Sequence, residues 1–433
     1  MTDPLPYPRS LEAWLAHIER VHPQSIAMGL DRVRVVKEAL ALKPMVPVIT
    51  VGGTNGKGSA CMMLEAILQH AGYKVGCYTS PHLLRYNERV RVAHEPASDA
   101  QLIQAFELVE RARASTTVPL TYFEFGTLAA IWLFIEARVD VMVLEVGLGG
   151  RLDAVNVFDP DCAIVMSVAL DHMDYLGSTR EQIGFEKAGI FRAGKPAICG
   201  ATDPPRALMD HAAAIGANLL VRGRDFEVRR AANQWAYRGP GGARHGLPWP
   251  ALRGTYQLAN AAACIAALDT LRERCPVTVN DIRGGLLTVE NPGRFQVLPG
   301  QPTVILDVAH NPQAAQALAD NLKSMPRSDT TFAVFGMLAD KDIDGVIGIL
   351  KPHIGHWFAA GISGVRGTHA EVLAHKLAAA GISHVTRCSS VAAAVEAARE
   401  AAKVDDKIVI FGSFYTVSEA MQAMQQMDAA GRR

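Results

Sequence analysis

The sequence predicts an α/β fold in two domains, a larger one on a doubly wound parallel sheet and a smaller α/β domain after it. Three observations carry this expectation. Apolar, β-branched runs such as Val46–Val51, Val141–Val146 and Ala163–Val168 alternate with stretches of helical periodicity. Strands that are apolar on both faces belong to parallel sheets covered by helices. The texture then changes at ENPGRFQVLPGQP, residues 290–302, and a second strand–helix alternation follows in TVILDVAHNPQAA, TFAVFGM, HWFAAG and KIVIFGSFYTV. The expected division is 1–292, a linker at 293–300, and 301–433.

In chain order, residues 11–20 and 30–41 read as amphipathic helices, and Val46–Val51 as a buried strand. The strand runs into GGTNGKGS, after which Cys61, Leu64, Ile67, Leu68 and Ala71 line one helical face and Gly72 supplies a stop. Lys74–Tyr78 is the next strand and ends in Thr79-Ser80-Pro81-His82. The longest apolar run, Phe125–Ile135, is too short to span a bilayer and reads as a buried helix. The Arg-, Gly- and Pro-rich segment 223–250, with isolated aromatics, reads as a peripheral β-like excursion.

Composition narrows the class. A chain of 433 residues is expected to form two or three domains. Lys plus Arg number 43 and Asp plus Glu number 43, so no global field favours a polyanion and nucleic acid is not an expected partner. Seven dispersed cysteines without a CxxC pair suit a reducing cytosol better than a disulfide framework or a zinc site. Met1–Leu11 lacks the apolar core of a signal peptide. A cytoplasmic location, away from membranes, is expected.

Chemistry-bearing residues collect where the strands end, the place where open α/β sheets bind ligands. Strand, glycine-rich turn, Lys57, hydroxyl and helix form an arrangement that cradles phosphates through backbone N–H groups and a helix N-terminus. The alternative is an ordinary tight turn. The match to GxxxxGK[ST] is imperfect, since Val51 stands at the first glycine and Gly58 follows Lys57, with Ser59 one residue late. This disfavours a standard kinase or motor ATPase. Glu145 and His172, each near a strand end, suit a cation beside phosphates, with Ser80 as a further oxygen. Their alternatives are a buried pair between Glu145 and Arg151 and a hydrogen-bonded strand-end histidine. Lys187 reads, on composition alone, as a helix-surface lysine. In DVAHNP, Asn311 caps a helix that Pro312 begins, whereas Asp307 and His310 have no structural task and face the cleft.

At GTNGKGS, SPHL, EVGLGGRLDA, LDHMDYLG, EKAGIFR, PGRF, DVAHNP and GMLADKD the chain resembles the folylpolyglutamate synthase/dihydrofolate synthase family, a branch of the Mur-ligase-like amide ligases. The motifs keep family order from about residue 10 to residue 425. The resemblance implies a P-loop domain like the central domain of Mur ligases, and a Rossmann-like C-terminal domain on the glutamate side. It implies that Thr54, Asn55, Gly56, Lys57, Gly58 and Ser59 hold the ATP phosphates, and that Asn260, Arg294 and Asp307 also contact ATP. Ser80, Glu145 and His172 would ligate magnesium, and a carbamylated Lys187 would bridge to a second magnesium. Potassium is a further cofactor candidate. Ser25, Ile26, Ala27, Met28, Tyr122, Phe123 and Asp153 would line the pterin side, although similar bacterial enzymes often carry an acidic residue where Ala27 stands. Lys57, His172, Lys187 and His310 are the implied catalytic set.

The implied reaction adds L-glutamate to dihydropteroate and to tetrahydrofolates through an acyl phosphate, in a monomeric enzyme. Its nearest alternatives are a folylpolyglutamate synthase alone and another Mur-type amino-acid ligase. A peptidoglycan-precursor ligase would need a further domain before the phosphate loop, where about 50 residues stand. A regulatory P-loop ATPase and a non-catalytic pterin-binding protein are the alternatives from other classes.

Overall fold

A computed structural model describes residues 7–22, 24, 26–254, 256–364 and 366–430. The chain divides into two compact units, one comprising Met1–Val168, Asp174–Pro250 and Ala259–Val289, the other Ala169–Met173, Ala251–Leu258 and Glu290–Arg433.

The first unit is built on eight strands: β1 (Val48–Gly52), β2 (Val75–Tyr78), β3 (Val90–Val92), β4 (Glu95–Pro96), β5 (Val141–Glu145), β6 (Cys162–Val165), β7 (Pro196–Cys199) and β8 (Asn218–Val221). Their order is β4-β3-β2-β5-β1-β6-β7-β8. The ladders from β2 to β8 are parallel, while β3 and β4 extend the β2 edge antiparallel. Every residue of β1, β2, β5 and β6 is buried, which is why these segments read as unbroken apolar runs. Helices α1 (Leu11–Val21), α2 (Asp31–Ala39), α3 (Lys57–His70), α4 (Asp99–Thr116) and α5 (Tyr122–Glu136) follow in order, α3 connecting β1 to β2 and α5 leading into β5. The apolar run at 125–135 lies within α5 and is largely buried. Among the described residues no helix is long and apolar enough to cross a membrane.

The excursion expected at 223–250 is a separate antiparallel sheet of β9 (Glu227–Arg230), β10 (Trp235–Gly239) and β11 (Gly242–Leu247). Asp269 anchors it, accepting from Tyr237, Gly241 N and Arg244.

The second unit holds a six-stranded sheet of β12 (Gln296–Leu298), β13 (Thr303–Asp307), β14 (Thr331–Phe335), β15 (His356–Ala360), β16 (Val385–Cys388) and β17 (Lys407–Phe411), in the order β12-β13-β17-β14-β15-β16. Only β12 runs antiparallel to its neighbour. Residues 293–300, expected as a linker, thus contain an edge strand of this sheet. All seven cysteines are free and buried.

Candidate active site

The phosphate-loop candidate sits between β1 and α3. Gly53 (φ 138°) and Gly56 (φ 91°) occupy the left-handed region that favours glycine. A Cβ on Gly53 would come within 3.0 Å of Met166 N, and one on Gly56 within 2.9 Å of Asn260 Oδ1. Asn260, expected to contact ATP, thus lies against this loop. Lys57 begins α3, and its Nζ donates back to the carbonyls of Gly53 and Thr54, each at 3.1 Å. Ser59, late in the motif, is buried within the first turn of the helix. Ser167, which sequence reasoning did not single out, clamps the loop. Its carbonyl accepts from Thr54 N at 2.7 Å, and its Oγ both accepts from Asn55 N and donates to Asn55 O, at 3.0 Å each.

The register of the sheet brings the metal candidates of this unit to the same place. Glu145, the last residue of β5, pairs with Val51 of β1, and Leu144 pairs with Tyr78 of β2. Two residues past Tyr78, the Ser80 N–H donates to Glu145 Oε2 at 3.0 Å. The alternative partner for Glu145 is otherwise engaged, because Arg151 pairs with Glu186 at 2.8 Å. Magnesium takes oxygen ligands, keeps waters, and is held by one or two carboxylates together with phosphate oxygens. A buried carboxylate and a serine side by side beside a phosphate-type loop fit that ion. No cluster of three or more His, Cys, Asp or Glu side chains suited to a metal forms among the described residues.

Lys187 lies on the helix Arg180–Ala188 and is only 4% exposed, so the reading of a surface lysine is wrong. The loop after β5 rests on it. A Cβ on Gly150 would meet Lys187 O at 2.9 Å, and Arg151 N donates to Glu186 O at 2.8 Å.

The residues expected on the pterin side are also neighbours. Phe123, in the first turn of α5, packs on Gly147 so closely that a Cβ there would overlap its ring, and lies 5.7 Å from the Tyr78 ring. Tyr122 stands edge-on to Tyr86, with the Arg89 guanidinium 5.3 Å from its ring centre. Asp153 accepts from Leu148 N at 2.8 Å and Val155 N at 3.0 Å. Burial pushes its carboxyl up to about 7, against the pull of backbone N–H groups and of Lys57. Gly29 N donates to Leu152 O at 3.3 Å, and Met28 Cε lies 3.5 Å from the position of a Cβ on Gly149. Residues 26–29 thus border the same glycine-rich segment, while Ser25 lies outside the described residues.

The second unit departs from expectation. Asp307 is not idle, since its carboxylate accepts from Phe295 N at 2.9 Å and from Ala309 N at 2.8 Å, tying β13 to the chain before it. Burial raises it to about 6, opposed first by the charge of Arg294. Arg294 lies over the Phe414 ring at 4.7 Å. His310 is also committed. Its Nδ1 donates to Val308 O at 2.8 Å, and Nε2 stands 3.6 Å from Asp171. Asn311 caps the helix Pro312–Ser324 as expected.

His172 falls in the strip Ala169–Met173 that groups with this unit, not with Ser80, Glu145 and Lys187. Its backbone is in the left-handed region (φ 51°), uncommon for a residue other than glycine. Its Nε2 lies 3.2 Å from Lys341 Nζ, so the lone pair a metal would use faces an ammonium group. Lys341 also pairs with Asp171 at 2.6 Å. Burial raises the Asp171 carboxyl, but His310, Lys341 and His172 outweigh it and hold it well below the usual range. Lys341 and Asp171 sit inside the motifs GMLADKD and LDHMDYLG, where their spacing gave no sign that they would pair.

Known proteins match this arrangement. Residues 51–268 match the Mur ligase middle domain, and residues 293–414 match the Mur ligase, glutamate ligase domain. The dihydrofolate synthase/folylpolyglutamate synthase of Escherichia coli (strain K12) is 44% identical over 423 residues, covering 98% of this chain and 97% of that protein. The structure of E. coli FolC in complex with DHPP and ADP is similar with a TM-score of 0.91 at 44% identity, covering 97% of this chain and 98% of the other. A bifunctional folylpolyglutamate synthase/dihydrofolate synthase with Mn, AMPPNP and L-glutamate bound is similar with a TM-score of 0.89 at 44% identity, covering 96% and 98%.

Proposed function

The chain belongs to the dihydrofolate synthase/folylpolyglutamate synthase family of Mur ligases, ATP-dependent enzymes joining a folate-type carboxylate to glutamate, and from that premise we propose how its residues divide the reaction. We propose that it glutamylates both dihydropteroate and tetrahydrofolates. The observation that carries the proposal is the convergence of the phosphate loop, Ser80 and Glu145 at the ends of three neighbouring strands, with Phe123 and Asp153 on the adjoining glycine-rich segment.

A carboxylate resists attack by an amine because oxide is a poor leaving group. The carboxylate oxygen takes the γ-phosphoryl group of ATP, the bond to ADP breaks, and a mixed anhydride forms. The glutamate amine attacks the acyl carbon, gives up a proton, and inorganic phosphate leaves with the former carboxylate oxygen. The loop of residues 54–59, through its N–H groups from Gly56 onward at the N-terminus of α3, orients the phosphates, and Lys57 moves from its carbonyl partners to the transferring oxygens. Asn260, Arg294 and Asp307 are assigned to the nucleotide. Glu145 and Ser80 would hold a divalent ion, which would supply charge neutralisation at the phosphate oxygens. Lys187, buried on its helix, is assigned as a carbamate. Residues 26–28, Tyr122, Phe123 and Asp153 are assigned to the pterin, and His310 to the catalytic set. Seven free cysteines support a reducing compartment, the cytoplasm.

The test is an incubation with ATP, magnesium, glutamate and one acid at a time, following phosphate release and the mass of the product. Dihydropteroate and tetrahydrofolate should each gain a glutamate, and a UDP-muramyl peptide should not. Glutamylation of tetrahydrofolate alone overturns the dual assignment, and turnover of the muramyl peptide alone overturns the folate assignment.

A further inference from the structure

Arg32 lies on α2, outside every motif that carries the family resemblance, yet its guanidinium joins two segments assigned to the pterin. Its Nη2 donates to Ala27 O at 2.6 Å and to Glu124 Oε1 at 2.9 Å, and its Nε reaches Glu124 Oε2 at 3.4 Å. Glu124 is only 4% exposed in its side chain and has a second task. Its Oε2 accepts from Thr121 N at 2.7 Å while Glu124 N donates to Thr121 Oγ1 at 3.2 Å, a capping box that fixes the start of α5. Tyr122 and Phe123 are the first two residues of that helix.

We infer that Arg32 is a positioning residue that sets the width of the pterin pocket by tying the backbone of the 26–29 loop to the capped end of α5. This rests on the assignment of residues 26–28 and Phe123 to the pterin. The loop is held at two points, Ala27 O by Arg32 and Gly29 N by Leu152 O. Leu152 precedes Asp153, so the two ties span the loop between the wall bearing Phe123 and the wall bearing Asp153. The contact at position 27 is made by the carbonyl and is indifferent to the side chain. The tie therefore stands with alanine at a position where similar bacterial enzymes often carry an acidic residue. An exposed ion pair contributes little, but here the acid is buried and the guanidinium fork satisfies a carbonyl and a carboxylate at once, which the compact ammonium of lysine does not reproduce.

The test is steady-state kinetics of the full chain with dihydropteroate, comparing wild type with Arg32→Ala, Arg32→Lys and Glu124→Gln. Glu124→Gln keeps an oxygen for Thr121 N but turns an amide NH2 toward Arg32, removing the charge and the acceptor there. The expected result for Arg32→Ala is a rise of about tenfold or more in the dihydropteroate KM, with smaller rises in the other two, since displacement by about 1 Å costs up to about a hundredfold. The KM values for ATP and glutamate should stay within about twofold, because their assigned groups are not tied by Arg32. A merely structural role would lower the unfolding temperature and the amount of active enzyme while leaving every KM unchanged. If Arg32→Ala does not fold, the two conservative variants carry the test. An unchanged dihydropteroate KM in the folded variants, or an equal rise for all three substrates, overturns the inference. A wild type inactive on dihydropteroate instead overturns the functional assignment beneath it.

Discussion

Two strand ends in this protein look alike in sequence and differ in chemistry. At the ends of β1, β5 and β2, Lys57, Glu145 and Ser80 surround a loop that Gly53 and Gly56 turn through left-handed backbone. At the end of β13, Asp307 and His310 stand in an equally polar motif, but the carboxylate is committed to two backbone N–H groups and the imidazole to a carbonyl. What separates the two is what surrounds the acid: a lysine, a serine and a glycine-rich loop at the first, two backbone N–H groups of its own loop at the second. A strand-end acid that closes its own loop is expected to contribute first to stability, and one beside a phosphate-type loop first to chemistry.

The largest expected effect tests the chemical side. Lys57→Ala should lower ligation by about 10³-fold, the scale of losing a charge that stabilises phosphoryl transfer, with little change in unfolding temperature. A comparable loss of stability would put Lys57 with Asp307. Lys187→Ala should abolish ligation, with added bicarbonate failing to restore it. Near-normal turnover would remove Lys187 from the mechanism and leave it a buried packing residue.

Asp307→Asn tests the structural side. The amide presents an N–H to one of two backbone donors, so denaturant titration should show a loss of about 1–3 kcal/mol. The pH dependence sharpens this. The folded state holds the Asp307 proton more tightly than the unfolded chain, with its carboxyl at about 6 against an ordinary 3.8. Its contribution therefore favours folding most at low pH and is lost as pH rises from 3.8 through about 6. Relative to the asparagine variant, wild type should lose up to about 3 kcal/mol over that range. An opposite slope would show a carboxylate favoured in its ionised form. The smallest effect is expected from Ser167→Ala. Removing one hydroxyl that bridges Asn55 N and O should cost about 1 kcal/mol and raise the ATP KM about fivefold.

Much of the first sheet was legible because β1, β2, β5 and β6 are buried on both faces and carry unbroken apolar runs. The strands β12 and β16 were not, since QVL and VTRC are short, partly exposed pieces at the two edges of their sheet. The phosphate loop announced itself through glycine spacing, but Ser167 could not, because a lone serine gains its task only when β6 brings it beside the loop. Lys187 offered a signal that composition hid. It stands four residues after Ile183, on the buried face of its helix, where a lysine is out of place. Asp307 was misread because its partners, Phe295 and Ala309, are backbone groups, and sequence patterns do not record where a backbone N–H points.

The account stands on activation of a carboxylate at the open strand ends. The direct measurement uses dihydropteroate labelled with ¹⁸O in its carboxyl group, together with ATP, magnesium and glutamate, and follows the label by mass spectrometry. The account predicts that each turnover delivers one labelled carboxyl oxygen to inorganic phosphate. Glutamylated product accompanied by unlabelled phosphate would contradict it.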